Sequence, residues 1–80
     1  MSDELRKQAH DVDATIRVGK SGLDPVVSEL RSQLKDRTLV KVKFLRSSRG
    51  GTTTEELATE LASRVNAEII DTRGHTAVYH

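Results

Sequence analysis

The sequence predicts an α/β fold, a two-layer sandwich in the order α-β-α-β-α-β-β with a mixed four-stranded sheet, on three observations. Apolar residues at helical spacing alternate along the chain with short runs of period-two alternation. Strands separated by helices imply parallel βαβ units with right-handed crossovers. Finally, the last two strand-like runs are separated only by Arg73-Gly74-His75, short enough for a hairpin that adds an antiparallel edge. Eighty residues are expected to form one domain, 1–80, with helices on one sheet face and the other face open.

Each element has its own signal. Leu5, Ala9 and Val12 form one stripe of a first helix, with Ser2 or Asp3 as N-cap. Ala14 to Val18 alternates and is rich in β-branched residues, which predicts a strand ended by Gly19. Asp24-Pro25 opens a second helix, Asp24 as N-cap and Pro25 at the first helical position, where a missing N–H is harmless. Val26, Val27, Leu30 and Leu34 give that helix its buried face. Thr38 to Leu45 is the clearest strand, with Val40, Val42 and Phe44 on one side and Lys41 and Lys43 on the other. Arg46 to Gly51 is a polar, basic loop expected to be mobile. Overlapping capping boxes, Thr52 with Glu55 and Thr53 with Glu56, announce a third helix. Leu57, Leu61 and Val65 lie on its inner face, with Ala58 and Ala62 beside them, and Asn66 ends it. Strands at about 67–72 and 76–80 complete the chain.

Composition narrows the chemistry. The chain has no cysteine, which removes disulfides, thiolate metal sites and cysteine nucleophiles. Neither an export signal nor an apolar run long enough to span a bilayer is present, so a cytoplasmic protein with no membrane partner is expected. The formal net charge of +1 hides a basic block: residues 14–50 carry nine Lys and Arg against three acids, while both flanks are acidic. Such a block makes polyanions the first candidate partners. His10, His75 and His80 share no metal-ligand spacing, and no catalytic constellation or cofactor motif stands out.

One loop carries a specific chemistry. Val18-Gly19-Lys20-Ser21-Gly22 joins a strand to the start of a helix, where unpaired amides favour an anion. The two glycines let the backbone approach a ligand, Lys20 adds a positive charge and Ser21 a hydroxyl donor. A nucleotide-binding P-loop is ruled out, because it requires a glycine five positions before Gly19, and that residue is Ala14. Two readings then remain: a tight strand-to-helix corner, or a GXXG clamp on a nucleic-acid backbone.

The residues Leu5-Arg6-Lys7-x-Ala9, Ile16-x-Val18-Gly19-Lys20-Ser21-Gly22-Leu23, Val40-Lys41-Val42-Lys43 and Arg73-Gly74-x-Thr76-x-Val78-Tyr79 together resemble the CRM domain. Bacterial single-domain members of that family are the YhbY proteins. The resemblance covers nearly the whole chain in one element order. It implies a fold like the C-terminal domain of bacterial translation initiation factor three. It also implies RNA binding through the GXXG loop, here Gly19, Lys20, Ser21 and Gly22, and through neighbouring basic surface. Bacterial relatives are associated with large-subunit ribosomal precursors, and plant relatives with the splicing of organellar introns.

These readings converge on a non-enzymatic RNA-binding protein that needs no cofactor and acts on structured, ribosomal RNA in ribosome assembly or RNA processing. The expected contacts are the loop, Arg17, Lys41 and Lys43 on a strand face, and Arg46 and Arg49 in a loop that orders on binding. Phe44 is expected in the core; Tyr79 either stacks on a base or closes the sheet edge. With only these two aromatics, recognition should rest on shape and phosphates. The alternative is a protein-interaction module that docks on a ribosomal protein or assembly factor.

Overall fold

A computed structural model describes residues 3–48 and 50–80. Its elements are helix α1 (Asp3–Ala9), strand β1 (Ala14–Val18), helix α2 (Asp24–Asp36), strand β2 (Val40–Phe44), helix α3 (Thr54–Val65) and strands β3 (Ile69–Arg73) and β4 (Thr76–Tyr79). A single 3₁₀ turn, Arg46–Ser48, follows β2. The predicted order holds throughout. The possible N-cap Ser2 lies outside the described residues, and α1 begins at Asp3 itself.

The sheet order is β1-β2-β4-β3. β1 and β2 pair in parallel across α2, while β4 is antiparallel to both β2 and β3. The closing hairpin therefore inserts its second strand inside the sheet and leaves its first at the edge. Burial explains this choice. Ala77, Val78 and Tyr79 of β4 are all buried, whereas β3 carries Asp71, Thr72 and Arg73, which suit an edge. The turn residue Gly74 has φ +58°, the left-handed conformation a two-residue hairpin turn requires.

The main core lies between the sheet and helices α2 and α3. Val18, Leu30, Val42, Phe44, Ala58, Leu61, Ala77 and Tyr79 are fully buried there. Each large apolar side chain so buried contributes roughly 1.5–3 kcal/mol. α3 starts with the second of the two predicted capping boxes: the Thr53 hydroxyl accepts from the Glu56 amide at 3.1 Å, and the Glu56 carboxylate accepts from the Thr53 amide. Asn66 closes the helix in the left-handed conformation, as expected.

Three expectations need correction. Val12 is not part of the first helix, because α1 ends at Ala9, although the Val12 side chain still packs on the cluster that contains Ala9. The second sheet face is not wholly open, because α1 packs on it over the β4–β3 half. There Ala9, Leu39 and Val78 are buried, with Leu5, Val12 and Ile70 against them. The apolar stripe of α1 and the outward Val78 bury each other, leaving the β1–β2 half exposed together with Arg73 at the end of β3. Asp24 is not the N-cap of α2; Leu23 occupies that position, with no side-chain cap. The Asp24 carboxylate turns instead to the Arg64 guanidinium of α3.

Candidate nucleic-acid interface

Parallel pairing of β1 and β2 brings the segments that follow them to the same end of the sheet. Leu45 N–H donates to the Val18 carbonyl at 2.9 Å, which locks the two exits together. A side chain at Gly19 would lie 3.7 Å from both Leu45 Cδ1 and Ser47 Oγ. The GXXG loop thus sits directly beside the Arg46–Ser48 turn, and Lys20, Ser21 and Arg46 are all exposed there. That turn is held by the Ser48 hydroxyl and amide, both donating to the Leu45 carbonyl. At least this part of the predicted mobile loop is ordered without a partner. Arg49 lies outside the described residues.

Within the loop, Gly22 N–H donates to the Gly19 carbonyl at 3.0 Å, closing a tight turn. Gly22 has φ +79°, a conformation that strains any side-chain-bearing residue. α2 has no side-chain cap, but its Val26 N–H donates to the Leu23 carbonyl at 3.0 Å and Pro25 has no N–H, so of its first three residues only Asp24 offers an amide to an anion. The nearby acid Asp24 is engaged by Arg64, which also donates to Glu60 at 2.7 Å. These two carboxylates, Glu60 foremost, raise the Arg64 guanidinium further above its ordinary value.

The register then organises the outward face into rows. Arg17 of β1 pairs with Lys43 of β2, Lys43 with Thr76 of β4, and Thr76 with Arg73 of β3. Three cations thus share one line across the whole sheet, spanning about 14 Å at normal strand spacing. Arg17 and Lys43 stand directly opposite one another, an arrangement that destabilises a sheet unless an anion intervenes. The next row reads Ala14, Lys41, Val78 and Asp71, and its Lys41 is half-buried.

A register shift between Ile69 and Asp71 produces that last placement. Without it, alternation would turn Asp71 toward the apolar core. With it, Ile69 packs toward the main core, and Ile70 and Asp71 belong to the opposite side.

The structure therefore groups Gly19, Lys20, Ser21, Gly22 and Arg46 at one end of the sheet, with Arg17 and Lys43 in the adjoining row and Lys41 one row further. Arg73 was missed by the sequence reading. Its signal was the Arg73-Gly74-His75-Thr76 turn, whose two-residue form pairs Arg73 with Thr76 and places it in the basic row. Both aromatics are withdrawn from the surface. Phe44 is fully buried, and Tyr79 is buried with its hydroxyl donating to the Ala58 carbonyl at 2.9 Å. Base stacking on Tyr79 is therefore excluded in this fold. Among the described residues no cluster of His, Asp or Glu could hold a metal, and no helix is long and apolar enough to cross a membrane.

The chain is similar to known proteins. A Methanocaldococcus jannaschii protein named "Probable RNA-binding protein MJ0652" is 36% identical over 75 residues, which is 94% of this chain and 56% of that protein. The chain thus spans little more than half the length of this relative. The solution structure of the Staphylococcus aureus protein SAV1595, presented as a candidate RNA-binding protein, superposes with a TM-score of 0.76 at 27% identity. The match covers 96% of this chain and 79% of that one. Residues 2–80 match the CRS1 / YhbY (CRM) domain, and the chain belongs to that family.

Proposed function

We propose that this protein is a non-enzymatic RNA-binding domain that grips phosphates with Gly19-Lys20-Ser21-Gly22 and extends its footprint over Arg46, Arg17, Lys43 and Lys41. Structured ribosomal RNA is the substrate class that the family resemblance favours, with ribosome assembly or RNA processing as the setting. The observation that carries the reading is the continuity of the basic surface. The loop, the Arg46 turn and the Arg17–Lys43 pair adjoin one another, and the helix start beside them has no side-chain cap. The Asp24 amide at the helix start and Lys20 hold one phosphate, while the strand cations hold those that follow. The absence of an exposed Phe, Tyr or Trp favours shape and backbone charge as the means of recognition.

The test is titration of labelled large-subunit ribosomal RNA fragments with the wild type and a Lys20→Asp/Ser21→Asp variant. Both positions are exposed and neither needs a left-handed backbone, so the variant adds repulsion without the strain that Gly22 would introduce. Affinity should fall at least tenfold while circular dichroism stays unchanged. Unchanged affinity in a folded variant removes the loop from the interface. Failure of the wild type to bind at low salt refutes the RNA reading and favours docking on a ribosomal protein or assembly factor.

A further inference from the structure

Where α1 meets the outward sheet face, the two leave a cavity of about 80 Å³ between Ala9 and His10 of the helix end and Lys41, Asp71, Arg73 and Thr76 of the strands. Val78 forms its apolar floor, and its lining contains no Phe, Tyr or Trp. The cavity continues the basic surface: Lys41 lies one row beyond Lys43, and Arg73 ends the row that begins at Arg17. Its chemistry is nevertheless different from that of the loop, because a carboxylate stands among the cations. The Arg73 Nε–Asp71 Oδ2 separation of 3.9 Å is too long for a hydrogen bond. Asp71 is two-thirds buried, and its ion pair with Arg73 is a loose one that leaves room for a hydrogen-bond donor. The Thr76 hydroxyl donates to the Arg73 carbonyl at 2.8 Å, so it does not donate to Asp71.

A carboxylate in a phosphate-binding surface repels the ligand unless it has a donor to meet. The sugar-phosphate backbone of RNA offers one that DNA lacks, the ribose 2′-hydroxyl. Resting on the RNA-binding reading above, we propose that this cavity is a ribose-phosphate subsite. Lys41 and Arg73 hold a backbone phosphate there, and Asp71 accepts a hydrogen bond from the adjoining 2′-hydroxyl. The loop supplies grip, and the cavity supplies discrimination of RNA from DNA. The register shift in β3 is what makes this available, since it brings Asp71 to the outward face instead of the core.

Labelled oligouridylate and oligodeoxyuridylate of equal length differ only in the 2′-hydroxyl and are suitable probes. Fluorescence anisotropy should show the wild type favouring the ribo form by about tenfold, the value of one hydrogen bond to a charged acceptor. Asp71→Ala adds net positive charge and should raise affinity for both probes, but bring them within about twofold of each other. Lys41→Met, which keeps the aliphatic stem, combined with Arg73→Gln should weaken both and lower the slope of log K against log salt by about 0.7. An unchanged ribo-to-deoxy ratio in folded Asp71→Ala overturns the proposal, as does wild-type affinity in the folded double variant. A free uridine monophosphate that competes as well as the oligonucleotide overturns the assignment to an RNA chain. Binding of ribosomal RNA that the loop variant abolishes and the cavity variants leave intact removes the subsite and keeps the clamp. Absence of all RNA binding removes both.

Discussion

Tyr79 shows how one residue can be lost to function and recruited by stability. Its ring lies in the main core, and its hydroxyl meets the Ala58 carbonyl. Burial raises that hydroxyl well above the ordinary tyrosine value. In the unfolded chain it ionises near about pH 10. The folded state keeps its proton to higher pH, so this contribution to stability is fully present below the unfolded value and is lost as pH rises above it. Tyr79→Phe should cost about 0.5–1.5 kcal/mol at neutral pH. It should also flatten the alkaline fall in stability, which urea melts at neutral pH and at about pH 11 would measure. An identical alkaline fall in both proteins would place the sensitive group elsewhere.

At the scale of elements, the helix starts differ in a way that matches their tasks. α3 is closed by the reciprocal Thr53–Glu56 capping box, supported by the Thr52 hydroxyl donating to Glu56 at 2.7 Å. The hydrogen bonds from Thr52 first, and from the Thr53 backbone second, lower the Glu56 carboxyl below its ordinary value. Its contribution is therefore present above the unfolded glutamate value and lost as pH falls through the lower folded one. Thr53→Ala should destabilise the fold by about 1 kcal/mol, read from the denaturation midpoint. α2, by contrast, has no side-chain cap, and its start adjoins the GXXG loop. With Pro25 lacking an N–H and the Val26 amide on the Leu23 carbonyl, the Asp24 amide is what this helix start leaves for the proposed phosphate. The first helix has a third task, covering half the outward face and forming one wall of the small cavity.

Across the whole molecule, charge is segregated more sharply than a net +1 suggests. The basic block of residues 14–50 contributes Lys20 and Arg46 beside one sheet end and Arg17 and Lys43 to the adjoining outward row. α3 carries Glu55, Glu56 and Glu60 on the helical layer of the opposite face. An RNA partner should therefore be oriented by the field of the molecule before any contact forms. Neutralising three to five phosphates predicts a slope of log K against log salt of roughly −2 to −4. Isothermal titration at several salt concentrations checks it, and a flat response would contradict a backbone-led interface.

Most of the elements were legible in the residues because their signals are local. Alternation marks β1 and β2, the Thr53–Glu56 box marks the start of α3, and Asn66 marks its end. The loop was legible too, since two glycines around Lys20-Ser21 at a strand-to-helix junction are a short-range pattern. Residue order by itself thus determined the fold class, the faces of β1, β2, α2 and α3, and the position of the basic loop.

Tertiary structure alone decided the rest. Insertion of β4 between β2 and β3 depends on comparing the burial of two strands, and neither strand shows this by itself. That insertion completes the row of Arg17, Lys43 and Arg73, and it gives Val78 an outward apolar site that draws α1 onto the second face. The local pattern favours Asp24 as a cap, but the structure pairs it with the distant Arg64 instead. Asp71 reached the outward face through a register shift that simple alternation does not contain. Each of these outcomes depends on which residues meet across the sheet or between helices, and that is set by the packing of the whole chain.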